Sequence, residues 1–204
     1  MLARNNVMSA PDLAVSRVCR ALAKGRLSLD ALTARDLSKF VGKTTSLLYH
    51  HWGSLDGFLY AVSQAGFEEL GQRLRGVMDD GGDLPRLAEA FVTFGLESPA
   101  LYALMFEHHY DWAQLKKSGA FDRPGAAQEL WQSLVGALAS SGSDDPDMDA
   151  RLFYSGLHGL VSLAVSGRAN FGALSKSDRE IALLAARRLA RTLSSPTPTG
   201  ASHS

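Results

Sequence analysis

One cysteine in 204 residues excludes an intrachain disulfide and any cysteine-built zinc cluster. Cys19 stands in register with Val15, Val18 and Leu22, so a buried structural thiol is expected. No apolar run approaches the ~18 residues that a membrane-spanning helix needs. Residues 1–11 lack the apolar core of a signal peptide, so the chain is expected to keep its N-terminus and to be cytoplasmic. Sustained two-residue alternation with turn punctuation is also missing, which argues against strands. Net charge is zero, but it is unevenly spread. Residues 1–60 hold eight Lys/Arg against four acids, a net of +4, and the remainder balances it at −4. A basic first third on an acidic body suits a protein that presents one end to a polyanion.

What the chain has is helical periodicity, and 46% hydrophobic residues to build a core. The pattern predicts an all-α protein of about nine helices. A first helix runs from Asp12 to Lys24 and stops at Gly25. Thr33-Ala34-Arg35-Asp36 reads as a capping box for a short second helix that Gly42 ends. Thr44 or Thr45 caps a third, ending near Trp52-Gly53, and Ser54 caps a long fourth with Phe58, Leu59, Val62, Leu70, Leu74, Val77 and Met78 in register. Further helices start near Pro85 and Pro99, carry Leu130 to Leu138, and span 148–167. Ser177-Asp178-Arg179-Glu180 opens the last helix, with Ile181, Leu184, Ala185 and Leu189 expected inward. Residues 1–60 are expected to form one domain, 61–193 a second, and 194–204 a disordered tail.

Two short helices separated by a glycine turn can lay the second across a duplex major groove. Leu32 to Leu59 has that form. Phe40, Val41 and Leu48 can hold the two helices together. Thr44, Thr45, Ser46, Tyr49 and His50 supply hydrogen-bonding groups on the exposed side, and Arg35 and Lys43 stand where phosphates could lie. Tyr49 has two readings: a phosphate-facing hydroxyl, or a half-buried helix residue with its hydroxyl on water. Gly42-Lys43-Thr44 imitates the end of a phosphate-binding loop. The glycine required five positions earlier is Leu37, and no strand precedes it, so nucleotide hydrolysis is set aside.

The threonine-capped helix, Gly42, the short polar helix, Leu48-Tyr49-His50-His51-Trp52 and Ser54-x-Asp56-x-Phe58-Leu59 together resemble the tetracycline-repressor (TetR) family over about residues 13–62. The resemblance implies a third helix that reads the groove and a chain that dimerises through its last two helices. Thr33 and Arg35 would meet the groove from the second helix. The DNA-binding set is then Thr33, Arg35, Lys43, Thr44, Thr45, Ser46, Leu47, Tyr49, His50 and His51. Three positions depart from the family pattern: Leu47 replaces Thr or Ser, Lys43 replaces a small apolar residue, and Leu55 replaces a phosphate-contacting Lys. Ser98 to Phe106 and Tyr154 to Leu163 resemble ligand-domain helices of a "WHG"-type subgroup, with Tyr154 in place of its tryptophan.

Aromatics in the second half fall at helical spacing, as core or as lining of a cavity. The ligand-binding candidates are Phe94, Tyr102, Met105, Phe106, His109, Trp112, Trp131, Leu157 and His158. Glu107 to Asp111 can be read as metal ligands, as a polar helix end or as one hydrogen-bonding group in a ligand pocket, and without a second ligand cluster no metal and no cofactor is expected. The helix at 148–167 is apolar on more sides than one protomer covers, and Gly156 and Gly159 permit close approach. A homodimer through 148–167 and 178–193 follows, the other reading being burial inside one chain. The sequence therefore predicts a non-enzymatic, ligand-responsive transcription repressor that binds a palindromic DNA operator as a homodimer. A small apolar or aromatic effector would release it. The other reading is a helical small-molecule sensor that has lost DNA binding and acts through protein contacts.

Overall fold

The computed structural model describes residues 9–29, 32–42, 45–119, 125–172 and 175–194. Within these residues every regular element is a helix. They are α1 (Ala10–Ala23), α2 (Ala34–Val41), α3 (Thr45–Trp52), α4 (Leu55–Asp79), α5 (Leu84–Glu97), α6 (Pro99–Phe106), α7 (Trp112–Lys117), α8 (Ala126–Ser140), α9 (Pro146–Val165) and α10 (Asp178–Ser194). The described residues thus hold ten helices where periodicity predicted about nine. The addition is α7, two turns too short to show a period. Asp111 caps it by accepting from the Gln114 N–H at 3.0 Å, and Leu115 is its only buried residue.

Caps elsewhere are local and follow from sequence. α1 begins two residues before the predicted Asp12, because Ser9 and Asp12 form the capping box and Pro11 occupies the first turn. Thr33 accepts from the Asp36 N–H at 3.2 Å. Ser54 caps α4 through the Gly57 N–H at 2.9 Å. At α10, Ser177 and Glu180 exchange the two capping bonds, and the Ser177 N–H and hydroxyl, both donating to the Glu180 carboxyl, hold it below its ordinary value. Of residues 194–204, expected as a disordered tail, Ser194 is the last residue of α10, and 195–204 lie outside the described residues.

The described residues gather into two compact units. The first takes residues up to 69 together with 97–127, and so contains α1, α2, α3, the first part of α4, α6 and α7. Its core is Val18 and Leu22 of α1, Leu37 of α2, Phe58 and Val62 of α4, and Leu101 and Leu104 of α6, all with no exposed surface. Gly66 makes room on α4 for side chains of α6. A Cβ there would lie 2.7 Å from the Met105 sulfur and 3.1 Å from Leu101 Cδ1.

The second unit takes 70–96 and residues from 128 onward. α9 and α10 pack along their length, and here the residues correct the predicted register. Ala182, Ala186 and Ala190 are fully buried, Leu184 is 49% exposed, and Ile181, Ala185 and Leu189 are only half-buried. Alanines at i, i+4 and i+8 form the buried stripe of α10, and the larger side chains lie beside it, Leu189 with its tip towards α9. Gly156 completes the fit, since a Cβ there would lie 2.5 Å from Leu189 Cδ2. Met78 of α4, predicted in the apolar register, is 46% exposed. Glu89 and Arg187 join α5 to α10 through two bonds of 2.9 and 2.6 Å.

Candidate nucleic-acid interface

The turn between α2 and α3 depends on Gly42. It ends α2 in the left-handed region (φ 69°, ψ 32°), with its N–H directed to the Lys39 and Ser38 carbonyls. A side chain is disfavoured in that conformation, so glycine lets the chain reverse here at least cost. Leu37 and Val41 anchor α2 inward, while Phe40, expected between the two helices, is half-buried beneath the Arg17 guanidinium of α1 at 5.2 Å. At its far end α3 is pinned by Trp52, whose ring meets buried Phe58 edge-on at 4.7 Å.

Anchoring α2 and the end of α3 leaves one side of the pair open. Thr33 and Arg35 are exposed on α2, and Ser46, Tyr49, His50 and His51 are exposed on α3, with Tyr49 at 50%. The His50 and His51 rings meet edge-to-face at 5.3 Å. Lys43 and Thr44 lie outside the described residues, as do the side chains of Thr45, Leu47 and Leu48. The structure therefore brings Ser46, Tyr49, His50 and His51 together on one short helix, as donors and acceptors of the size that base edges and phosphates accept.

The segment joining α6 to α7 fastens onto the first turn of α4. The Asp111 N–H donates to Asp56 Oδ2 at 2.8 Å, and His108 Nε2 lies 3.8 Å from Asp56 Oδ1. That nitrogen is buried without a hydrogen-bond partner among the described residues. Tyr110 donates its hydroxyl to the Leu104 carbonyl at 3.1 Å, and burial pushes that hydroxyl up to about 12. Its ring meets Tyr60 at 5.8 Å and Trp112 at 5.2 Å.

The ligand-binding candidates divide between the units. In the first, Tyr102, Met105 and Phe106 share α6. Tyr102 and Met105 are buried, and Phe106 contacts Tyr102 at 4.5 Å and Phe67 at 5.0 Å. His109 is exposed and Trp112 is 56% exposed. In the second, Phe94 is fully buried under Arg73, and Leu157 is buried. Trp131 and His158 are linked through Tyr154, which meets Trp131 at 6.4 Å and stacks on His158 at 6.0 Å. A cleft of about 240 Å³ lined by Ser141 to Asp145, Met148, Asp149, Thr192 and Leu193 contains none of these candidates. Among the described residues no three His, Cys, Asp or Glu side chains are grouped to hold a metal ion, and no helix is long and apolar enough to cross a membrane.

Residues 84–189 match the family described as "Tetracyclin repressor-like, C-terminal domain". The chain belongs to the tetracycline-repressor family. Members of this family are transcriptional regulators and not enzymes. The fold agrees with solved structures of low sequence identity. A protein of unknown function from Rhodococcus sp. RHA1 aligns over 95% of this chain and all of its own, at 20% identity and a TM-score of 0.66. PfmR, a TetR family transcriptional regulator from Thermus thermophilus, aligns over 88% of this chain and 98% of its own (18% identity, TM-score 0.54). RolR, solved in complex with the ligand resorcinol, aligns over 92% and 94% respectively (18% identity, TM-score 0.54). No curated protein matches the sequence.

In this tetracycline-repressor family member three residues join the candidate clusters that the sequence reading left out. Tyr154, noted there only as a replacement, bridges Trp131 and His158. Arg151 sits over the Trp131 ring at 5.2 Å. Tyr110 lies between α4 and α7. Arg151 and Tyr154 share the spacing i, i+3 and, with His158 a further turn on, could have been read as one helix face.

Proposed function

We propose that this tetracycline-repressor family regulator is a repressor that binds a palindromic operator as a homodimer and is released by a small apolar or aromatic effector. The observation that carries it is the α2–Gly42–α3 unit, with Ser46, Tyr49, His50 and His51 exposed on α3 and its far end fixed by Trp52 on Phe58. Two copies would set α3 into successive major grooves about 34–36 Å apart. Residues 1–60 would serve as the DNA-binding domain and 61–193 as the effector and dimer domain. Base contacts come from Thr44, Thr45, Ser46, Leu47, His50 and His51, while Thr33, Arg35, Lys43 and the Tyr49 hydroxyl meet the backbone.

Dimerisation through α9 and α10 is supported by the apolar side chains they leave uncovered. Leu152, Val165 and Leu184 are each about half exposed, as is Met148, and a Cβ at Gly159 would meet nothing within 4 Å. The effector candidates are the α6 cluster of Tyr102, Met105 and Phe106, with His109 and Trp112 beyond it, and Phe94, Trp131, Leu157 and His158 in the second unit. An aromatic effector suits side chains of this kind, and the structural relative RolR is bound to resorcinol. Release requires a coupling of ~1–3 kcal/mol between effector and operator.

The test is a fluorescence-anisotropy titration against duplex from the region upstream of the chain's own coding sequence, repeated across salt concentrations. Sequence-dependent binding with a steep salt slope is expected, and Tyr49→Ala and Thr45→Ala weaken it. Binding no tighter than to random duplex, at every salt concentration, leaves a distant operator or the sensor that acts through protein contacts.

A further inference from the structure

We propose that Lys116 and Lys117 of α7 grip the phosphate backbone of the DNA beside the groove that α3 enters. The inference rests on the DNA-binding reading above and adds a contact from a helix distant in sequence.

From Thr44 to Gln72 the sequence contains neither lysine nor arginine. α3 and the first four turns of α4 therefore carry no permanent cation, and Leu55 stands where the family pattern places a phosphate-contacting lysine. Arg35 and Lys43 can neutralise phosphates on the α2 side, but phosphates beside the α3–α4 corner would release no counterions without a cation of their own. Some other element has to bring positive charge to the α3–α4 corner.

α7 does so. Its C-terminal end lies against the turn: a Cβ on Gly53, the residue after α3, would sit 3.9 Å from Ser118 Cβ. Its N-terminal end is tied to the first turn of α4, through the Asp111 N–H to Asp56 and through Trp112 against Tyr60 at 6.4 Å. Leu115 is the fully buried anchor, and the next two residues, Lys116 and Lys117, are exposed. Among the described residues neither lysine has an ion-pair partner, and Asp56 accepts from the Asp111 N–H at the other end of α7. Two ammonium groups on flexible stems are thus held at the corner by a helix clamped at both ends. Lysine is a point charge without fixed geometry, which fits phosphate neutralisation and not base readout.

The test compares the full-length protein with the Lys116→Gln/Lys117→Gln variant on a duplex that the unaltered protein binds, following log K against log[salt]. The slope is expected to become shallower by about 0.9 for each phosphate left without its ammonium, so by up to about 1.8 per protomer, with the preference for operator over random duplex unchanged. Lys116→Arg/Lys117→Arg is expected to keep the original slope. A second measurement uses the unaltered protein: amine acetylation of Lys116 and Lys117 is expected to be suppressed by the duplex. An unchanged slope in the Gln variant, or equal acetylation with and without duplex, overturns the proposal. Failure of the unaltered protein to bind any duplex overturns the DNA-binding reading first and the α7 grip with it, so the two failures are separable.

Discussion

Two glycines of this chain should respond to the same substitution with opposite sign. Gly42 ends α2 with φ at 69°, whereas Gly76 lies in the last turns of α4 without a positive φ. At both, an added Cβ would meet nothing within 4 Å. Crowding is thereby removed from the comparison, and only backbone preference remains. Alanine in the left-handed region costs about 1–2 kcal/mol, so Gly42→Ala is expected to destabilise the first unit by that order. Alanine in place of a helical glycine gains about 0.5–1 kcal/mol, so Gly76→Ala is expected to stabilise the second. In a chain of this size each kcal/mol moves the melting temperature by about 2–4 °C. Urea and thermal melts of both variants measure the difference, and each variant reports on its own unit whether or not the two melt together. Gly42→Asn supplies the control, since asparagine tolerates the left-handed region and should recover part of the loss. If Gly42→Ala proved as stable as the parent, or Asn as harmful as Ala, the glycine would not be there for its conformation.

Removing the Phe58 side chain, which is fully buried and meets Trp52 at 4.7 Å, is expected to cost about 3–5 kcal/mol in urea unfolding. A cost below about 1 kcal/mol for Phe58→Ala would mean that the end of α3 is held by something else. Burial pushes the Cys19 thiol from 9.0 to about 12, and the Tyr110 hydroxyl from 10.0 to about 12. In both the folded protein keeps a proton that the unfolded chain gives up sooner. Their stabilisation is therefore fully present below about pH 9 and is lost as pH rises towards 12. For Cys19 the loss is at most about 4 kcal/mol. Urea melts at about pH 8 and about pH 10.5 check this: the fall in stability between them should be smaller in Cys19→Ala/Tyr110→Phe than in the parent.

The all-α class and most helix starts were legible because caps are local. Ser54 and the Ser177–Glu180 pair each satisfy N–H groups within three residues, and sequence displays that spacing directly. Gly42 was legible for the same reason. The inward face of α10 was not, because the eye follows leucines, whereas close helix approach selects alanines. α7 was missed on length. Its position depends on Asp56, 55 residues upstream of Asp111, and no local pattern encodes that bond. The exposed side of α3 could be anticipated from polar residue types, but the corner formed by Gly53 and Ser118 could not.

That corner bears on how recognition and attachment divide in the proposed complex. The described groups exposed on α3 are a serine, a tyrosine and two histidines, which offer hydrogen bonds and shape but no permanent charge. Permanent charge belongs instead to neighbouring elements: Arg35 and Lys39 on α2, and Lys116 and Lys117 on α7. Phosphate contacts fix register and carry no sequence information, while base-edge contacts do the reverse. With the two kinds placed on different helices, each can be weakened without the other. Loss of the His50 side chain should then erode discrimination and leave the salt slope nearly intact. Loss of the α7 lysines should flatten the slope and leave discrimination alone. A reading helix that carried its own lysines would show both effects in every variant.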